Sequence, residues 1–540
     1  MKRFLAELRA SARDERGRTF VFVPYDQLSD AIGPLRDLPP ERAGVLLVED
    51  PGKAARRPYH KQKLALVLAN MRHFALEQAE RGVAVRYVVA DAGYAGAVTR
   101  AAAEVGPLVC MEPAERELRV DLAPAVAKGA LRFLPHEGWL TTRDDFMKAT
   151  GGRPPYRMDV FYRYVRKRTG ILVHEGKPEG GRWSFDTDNR LPFRGEPPAP
   201  TPPSFELDPI TEEVCALIHR HYADHPGHLD PGALPCTKAH AEALWAWGKR
   251  AALPHFGPFE DAMSRDSTTL FHTRLAPLLH LHRLLPARIV REAAALPIPI
   301  ASKEGFVRQI LGWREFVRHV HRETDGFRML PDLPEGMARG LEDPNAPATP
   351  DMLGATEPLP ACFWEGGPRS GLACLDRVIG DVWREGYSHH ITRLMILSNI
   401  ATLLGLSPRE LTDWFWIAYT DAYDWVVEPN VLGMGTFAAG DIMTTKPYVS
   451  GAAYVDRMSN YCDDCPFDPK KTCPLTALYW DFLARNEPIL QKNPRMLVPL
   501  KALARRSSPH READSRMREA VLSALARGEP LTPEKLPPSR

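Results

Sequence analysis

Strand-like runs are confined to the first quarter of this chain, and that confinement limits the fold more than any other feature. TFVFVPY from Thr19, GVLLVED from Gly44, VAVRYVVAD from Val83 and GPLVCMEP from Gly106 are short, apolar and rich in β-branched residues. They alternate with helical stretches. The clearest is QKLALVLANMRHFALEQAERG, with apolar residues at helical spacing and Gly82 where a C-terminal cap sits. The alternation predicts a parallel, Rossmann-like sheet with crossover helices over residues 1–135. Sheets of this kind bind ligands at the carboxyl ends of their strands. No GxGxxG follows the first strand, so a dinucleotide site of that type is not expected there. From about residue 209 the strand signal fades. EGFVRQILGWREFVRHVHRE, HHITRLMILSNIATLLG and SPRELTDWFWIAYTDAY all read as helices, the last opening on a capping box at Ser407 and Glu410. The second unit, 209–490, is expected to be all-α.

Residues 136–208 read as a connector carrying a functional loop. They hold the Gly- and turn-rich HEGKPEGGRWSFDTDNRLPF and the Pro-rich RGEPPAPTPPSFELDP, which is stiff and too poor in apolar groups to build a core. The charged residues 491–540 read as a loosely held tail. Composition excludes wholesale disorder, collagen-like repetition and a multi-span membrane protein, with 44% hydrophobic and 26% charged residues. The apolar run at Leu394 is broken by Ser398, Asn399, Thr402 and Gly405, as in a buried helix. A net charge of +2 leaves room only for a local basic groove on nucleic acid. The charged N-terminal segment lacks an apolar core, and a cytoplasmic location is expected.

The strongest chemical signal is YCDDCPFDPKKTCP, where Cys462, Cys465 and Cys473 form a C-x2-C-x7-C array. A two-residue spacer lets two thiolates converge on one metal centre. A closed site needs a fourth ligand, for which Cys374 and Cys362 are candidates and His389 a poorer one. Spacing does not separate zinc from iron–sulfur. Trp364, Trp383, Trp414, Phe415, Trp416, Tyr419, Tyr423 and Trp425 crowd one stretch. Such density serves a large core, or a series of oxidisable rings for electron hopping. His389 and His390 adjoin Arg393; on a helix one ring can face a pocket while the other packs, and a pocket histidine can act as an acid. Two basic groups complete the inventory. His60, Lys61 and Lys63 stand at the start of a long helix, where anions are favoured. Arg153, Arg157, Arg163, Arg166, Lys167 and Arg168 interleave with Tyr156, Phe161, Tyr162 and Tyr164, a mixture suited to phosphates and exposed bases or simply to a solvated helix.

Taken together and in order, several segments resemble the cryptochrome/photolyase superfamily, in its iron–sulfur bacterial branch with prokaryotic (6-4) photolyases and related cryptochromes. They are VPYDQLSD, EGGRWSFDTDNRLPF, GFVRQILGWREFVR, YSHHITRLMILSN, DAYDWVVEPNVLGMG, TKPYVSGAAYVDRMSNYCDDC and CPLTALYWDFLARN, spread over about residues 19 to 490. The resemblance implies an α/β antenna domain, a long linker, and an all-α domain that binds FAD. It also implies a [4Fe–4S] cluster on Cys374, Cys462, Cys465 and Cys473, and a lumazine-type antenna chromophore. By the same resemblance His389 and His390 line a lesion pocket as catalytic residues, and Arg182 and Trp183 approach DNA. Trp364 and Trp414 carry electrons. His272, Thr273, Arg274, Gln309, Arg314, Arg393, Asp421 and Val427 contact FAD.

The departures touch the flavin. The superfamily's phosphate segment, Ser-x-x-Ser-Pro-x-x-Asn-x-Gly, reads HTRLAPLLHLH here, with Ala276 for a hydroxyl and His280 and His282 for the Asn and Gly. Lost donors weaken that site unless His280 replaces one. Val427 stands where a polar group often faces flavin N5 and cannot hydrogen-bond it. Phe415 follows Trp414 where Tyr is common, which removes a tyrosyl radical at that step and directs electrons through Trp416 or another ring. The implied function is light-driven reversal of (6-4) pyrimidine photoproducts in UV-damaged DNA by a monomeric lyase, with electron transfer from FAD and a proton from His390, assisted by His389. The rivals are a blue-light photoreceptor without repair, and a metal-stabilised nucleic-acid-binding protein that has lost flavin.

Overall fold

The computed structural model describes residues 2–330 and 346–538. Five strands form one parallel sheet in the order β3-β2-β1-β4-β5. They are β1 (Thr19–Phe22), β2 (Ala43–Glu49), β3 (Ala84–Val89), β4 (Leu108–Met111) and β5 (Leu131–Leu134). Four of them are the runs expected from the sequence. The fifth was not: LRFL is a short edge strand exposed at Arg132, so it lacks the continuous apolar signature that marks fully covered β2. β1 and β2 pair in register from Thr19 opposite Ala43 to Phe22 opposite Leu46. Gly44 is required there, since a β-carbon on it would lie 2.6 Å from the Phe20 ring. The long helix Lys61–Glu80 packs on the sheet and stops at Gly82, whose φ of +92° ends it.

The connector holds more structure than its composition suggests. Thr142 and Asp145 form a reciprocal capping box that starts helix Arg143–Thr150, and left-handed Gly151 ends it. A second helix, Met158–Thr169, ends at left-handed Gly170. The Pro-rich stretch near 195–205 has no regular structure. The C-terminal residues, expected to be loose, form helices Leu497–Ala504 and Ser508–Ala526. Met517, Val521 and Leu525 of the latter are buried in the second core.

One apolar core joins the sheet to the helices of 209–323 and reaches Tyr423, Trp425 and Leu432, and a second is built mostly by residues beyond 353, with Tyr59 and Met263. Burial of each Leu, Ile or Val in such cores is worth roughly 1.5–3 kcal/mol. Four helices of the second half are interrupted by π-helical segments: Gly248–Ala252, Arg308–Arg314, Arg393–Ser398 and Glu428–Gly435. Such insertions concentrate at functional sites, and two of these carry residues expected to bind flavin. No helix among the described residues is long and apolar enough to cross a membrane.

Candidate active site

A cavity of about 480 Å3 opens between the Pro-rich stretch, the long helix of the α/β unit and the helical half. Ser267, Thr268, Thr269, Arg274, Tyr387 and Thr420 are in its wall. Arg274 is held there by Glu385 at 3.2 Å and lies 4.3 Å above the Tyr387 ring. Arginine and hydroxyl donors around a space of this size fit a dinucleotide with a pyrophosphate. Next to Thr420, Asp421 takes both guanidinium nitrogens of Arg393, each at 3.0 Å. Burial pushes the Asp421 carboxyl up, but the Arg393 charge outweighs it and holds it below the usual carboxylate range.

The structure places the flavin candidates unevenly. Arg274 lines the cavity, His272 and Thr273 precede it in the chain, and Arg393 pairs with Asp421 next to Thr420, which is in the cavity wall. Gln309 is instead tied to Glu260, within a buried knot that includes Arg308 and Asn189. Arg314 is turned away as well: its guanidinium lies 3.9 Å over Trp139 and 5.5 Å from Trp425. Neither is in the wall of this cavity. The reason is charge pairing, since Glu260 and Glu315 capture these donors first. Val427 is buried in the second core. His280 does not replace the lost phosphate donor, because its Nδ1 is engaged by the Asp421 carbonyl at 3.1 Å and its ring packs on Trp425. His282 lies between the carbonyls of Asp26 and Gly138.

His389 and His390 do not share a helix face. His389 is the N-cap residue, extended and buried, and the helix starts at His390. His389 stacks on His272 with ring centroids 4.5 Å apart and planes within 9°. His390 is half-exposed, with Nε2 3.5 Å from Asp261. Burial drives the His272 and His389 imidazoles well below their usual range, and neighbouring histidines and Arg393 push the same way, so both are neutral at pH 7. His272 Nε2 and His389 Nδ1 are buried without a hydrogen-bond partner. Asp261 was not singled out in the sequence, and His272 was expected at the flavin rather than stacked on His389, because neither sits near the histidine pair along the chain.

Trp364 and Trp414 are bridged by a third indole. Trp364, 39% exposed, stacks on Trp383 at 6.5 Å, and Trp383 meets Trp414 edge-on at 5.8 Å. Both Trp383 and Trp414 donate their Nε1–H to the Phe363 carbonyl at 2.8 Å. Tyr419 lies 6.0 Å beyond Trp414, stacked on Phe415, with Arg393 4.0 Å over its ring. A phenol absent at 415 is thus present one helical turn on. Trp416 leaves this line and packs under Arg57 at 3.8 Å.

Cys374 begins the helix Ala373–Glu385, Cys473 caps the helix Pro474–Arg485, and Cys462 and Cys465 lie in the loop between Met458 and that cap. Burial raises the Cys374 thiol, and Cys473, Cys465 and Cys462 add to the rise. Cys362 is raised by burial and Asp376, with no thiol contribution, which separates it from the group. Burial likewise pushes Cys462 and Cys473 up to about 12. Among the described residues no three of these sulfurs lie within 4.8 Å of one another. Two helix N-termini facing the group favour its negative charge.

The basic groups serve unequal ends. Lys63 is buried and donates to the carbonyls of Trp416 and Ala422, and His60 caps its own helix, so this terminus is not open to an external anion. Arg166 is buried on the carbonyls of Trp183 and Leu172. Arg163 and Lys167 lie over the Trp183 ring at 5.1 and 5.5 Å, and Arg182 pairs with Asp188. A second cavity at the strand ends, with Tyr25, Glu49, Lys53, Glu115 and Tyr423 in its wall, measures about 80 Å3.

Comparison with known proteins places this geometry. Residues 21–233 match the family model described as "Deoxyribodipyrimidine photo-lyase-related protein". The chain is 34% identical to a "(6-4) photolyase" of Agrobacterium fabrum over 506 residues, covering 90% of this chain and 96% of that one. It is 36% identical over 92 residues to an uncharacterized protein of Acanthamoeba polyphaga mimivirus, covering 17% of this chain and 72% of that one. Its fold is similar to the crystal structure of a bacterial class III photolyase from Agrobacterium tumefaciens, with a TM-score of 0.51, 14% identity, and coverage of 96% of this chain and 99% of that one.

Proposed function

The chain belongs to the deoxyribodipyrimidine photo-lyase-related family, and on that footing we propose that it repairs UV-damaged DNA in light, with (6-4) pyrimidine photoproducts as substrate. The observation that carries the proposal is the cluster of His272, His389 and half-exposed His390, in a chain that also holds a cavity of about 480 Å3 walled by Arg274, Tyr387 and Thr420. Ser267, Thr268, Thr269 and Arg274 would hold the pyrophosphate of FAD, and Arg393 and Asp421 its ring system. When bound there, FAD supplies the light-excited electron that lesion reversal needs.

The chain's own residues do the remaining work. Trp364, Trp383, Trp414 and Tyr419 form a continuous series from solvent to the Arg393 guanidinium, suited to restoring the reduced state from an external donor. His390, half-exposed and oriented by Asp261, delivers the proton to the lesion at its imidazole nitrogen. His389, neutral and buried, fixes the neighbouring wall and excludes water. Arg163, Lys167, Arg182 and Trp183 offer charge and a ring to a damaged strand, whose weakened stacking lowers the cost of extruding the lesion. Cys374, Cys462, Cys465 and Cys473 would hold a [4Fe–4S] cluster that ties the Ala373–Glu385 helix to the C-terminal helices. Illumination of the flavin-loaded protein with a (6-4)-containing oligonucleotide tests the proposal. Restored thymine pairs in light and none in the dark support it, whereas an intact lesion in light removes it.

A further inference from the structure

Among the described residues, one set of three metal-ligating atoms lies within 4.8 Å of one another, and it belongs to His272, His389 and His390. The three come from two places in the chain: the turn before Thr273, and the N-cap and first residue of one helix. Two of the rings present nitrogens with nothing to bond: His272 Nε2 and His389 Nδ1. Both rings are more than nine-tenths buried. A buried polar atom without a partner costs about 1–3 kcal/mol, and water or an ion is the usual reason it persists. The carboxylate of Asp261, 3.5 Å from His390 Nε2, adds the second feature of metal sites, an acidic group that orients a ligating imidazole.

We propose that His272, His389 and His390 form a binding site for zinc, with an open coordination position on the solvent side at half-exposed His390. Three imidazoles with one open position are a zinc arrangement found at reactive centres, and neutral imidazole suits borderline ions. The rings of His272 and His389 are now nearly parallel, so their lone pairs run side by side. Binding tilts one of them, which breaks no hydrogen bond at the nitrogen concerned. His390 is half-exposed and can turn to complete the set. Its neighbour Asp261 then orients it or occupies a fourth position. The ion would engage an imidazole that the proposed repair reaction needs as a proton donor, so zinc is expected to inhibit repair. That consequence rests on the proposed function; the binding itself does not.

The test uses the full chain with its flavin and iron, freed of loose metal by a chelator and then equilibrated with zinc. Metal analysis is expected to show one added zinc per chain with iron unchanged. His272→Ala is expected to lose it or bind at least tenfold more weakly, and His272→Cys to retain it. Should His272→Ala fail to fold, as judged by its melting temperature, His390→Ala with its half-exposed ring takes its place. No added zinc in the parent chain, or equal zinc in the parent and alanine variants, overturns the site. Lesion conversion measured in the same samples separates the two readings. Repair that falls with zinc and returns with chelator supports both. Zinc bound by the histidines with repair undiminished leaves the site standing and removes His390 from proton delivery.

Discussion

Single side chains set the chemistry, and the histidines show how. His390 is half-exposed where His389 and His272 are buried, so only His390 combines access to a substrate with a carboxylate to orient it. His390→Ala is expected to slow lesion reversal by roughly 10²-fold or more while flavin content and melting temperature stay near the parent's; repair at the parent's rate would contradict the role. Buried histidines also govern acid stability. Burial lowers His280 and His282 to about 3 and His60 to about 4, well under the unfolded value of about 6.5. Between those values the unfolded chain binds protons that the folded chain does not, so stability falls as pH drops below about 6.5. Each such group removes about 1.4 kcal/mol at one unit below its unfolded pKa. Urea midpoints should therefore be lower at pH 5.5 than at pH 7.5, and equal midpoints would show that these imidazoles charge without unfolding.

Helices and loops bring together what the sequence scatters. The tryptophan series depends on the Ala373–Glu385 helix presenting Trp383 to both Trp364 and Trp414. Trp383→Phe keeps a ring in the core but raises the oxidation barrier, so flavin photoreduction is expected to slow at least tenfold with little change in melting temperature. Unaltered photoreduction would place the route elsewhere. The cysteine group joins the same helix to the loop before Pro474–Arg485. Cys465→Ser is expected to lose iron and to lower the melting temperature, since an incomplete ligand set leaves both segments unanchored; undiminished iron and melting temperature would contradict it. Much of this was legible in advance. The Cys-x2-Cys spacing and the paired histidines are local signals, as were four of the strands. Trp383 as a bridge, Asp261 beside His390 and His272 on His389 are contacts between distant segments, which periodicity does not encode. Nor does spacing show that Gln309 is held by Glu260 and Arg314 by Glu315.

At the scale of the whole molecule, the α/β unit and the first helices share one core, and the large cavity lies where that body meets the rest of the helical half. The connector helps to close it, with Thr201, Ser204 and Phe205 in its wall. A loosely attached linker cannot do this, and the capped helices at 143–150 and 158–169 explain how this one is held. The small cavity at the strand ends is lined by Lys53, Glu115 and tyrosines, with Lys53 paired to Glu115 at 2.9 Å. The most direct test of light-driven repair is conversion of a (6-4)-containing oligonucleotide by the purified, flavin-loaded chain, in blue light and in darkness. The account predicts restoration of the two pyrimidines in light alone. A chain that holds flavin, binds the lesion and leaves it intact under light would contradict it.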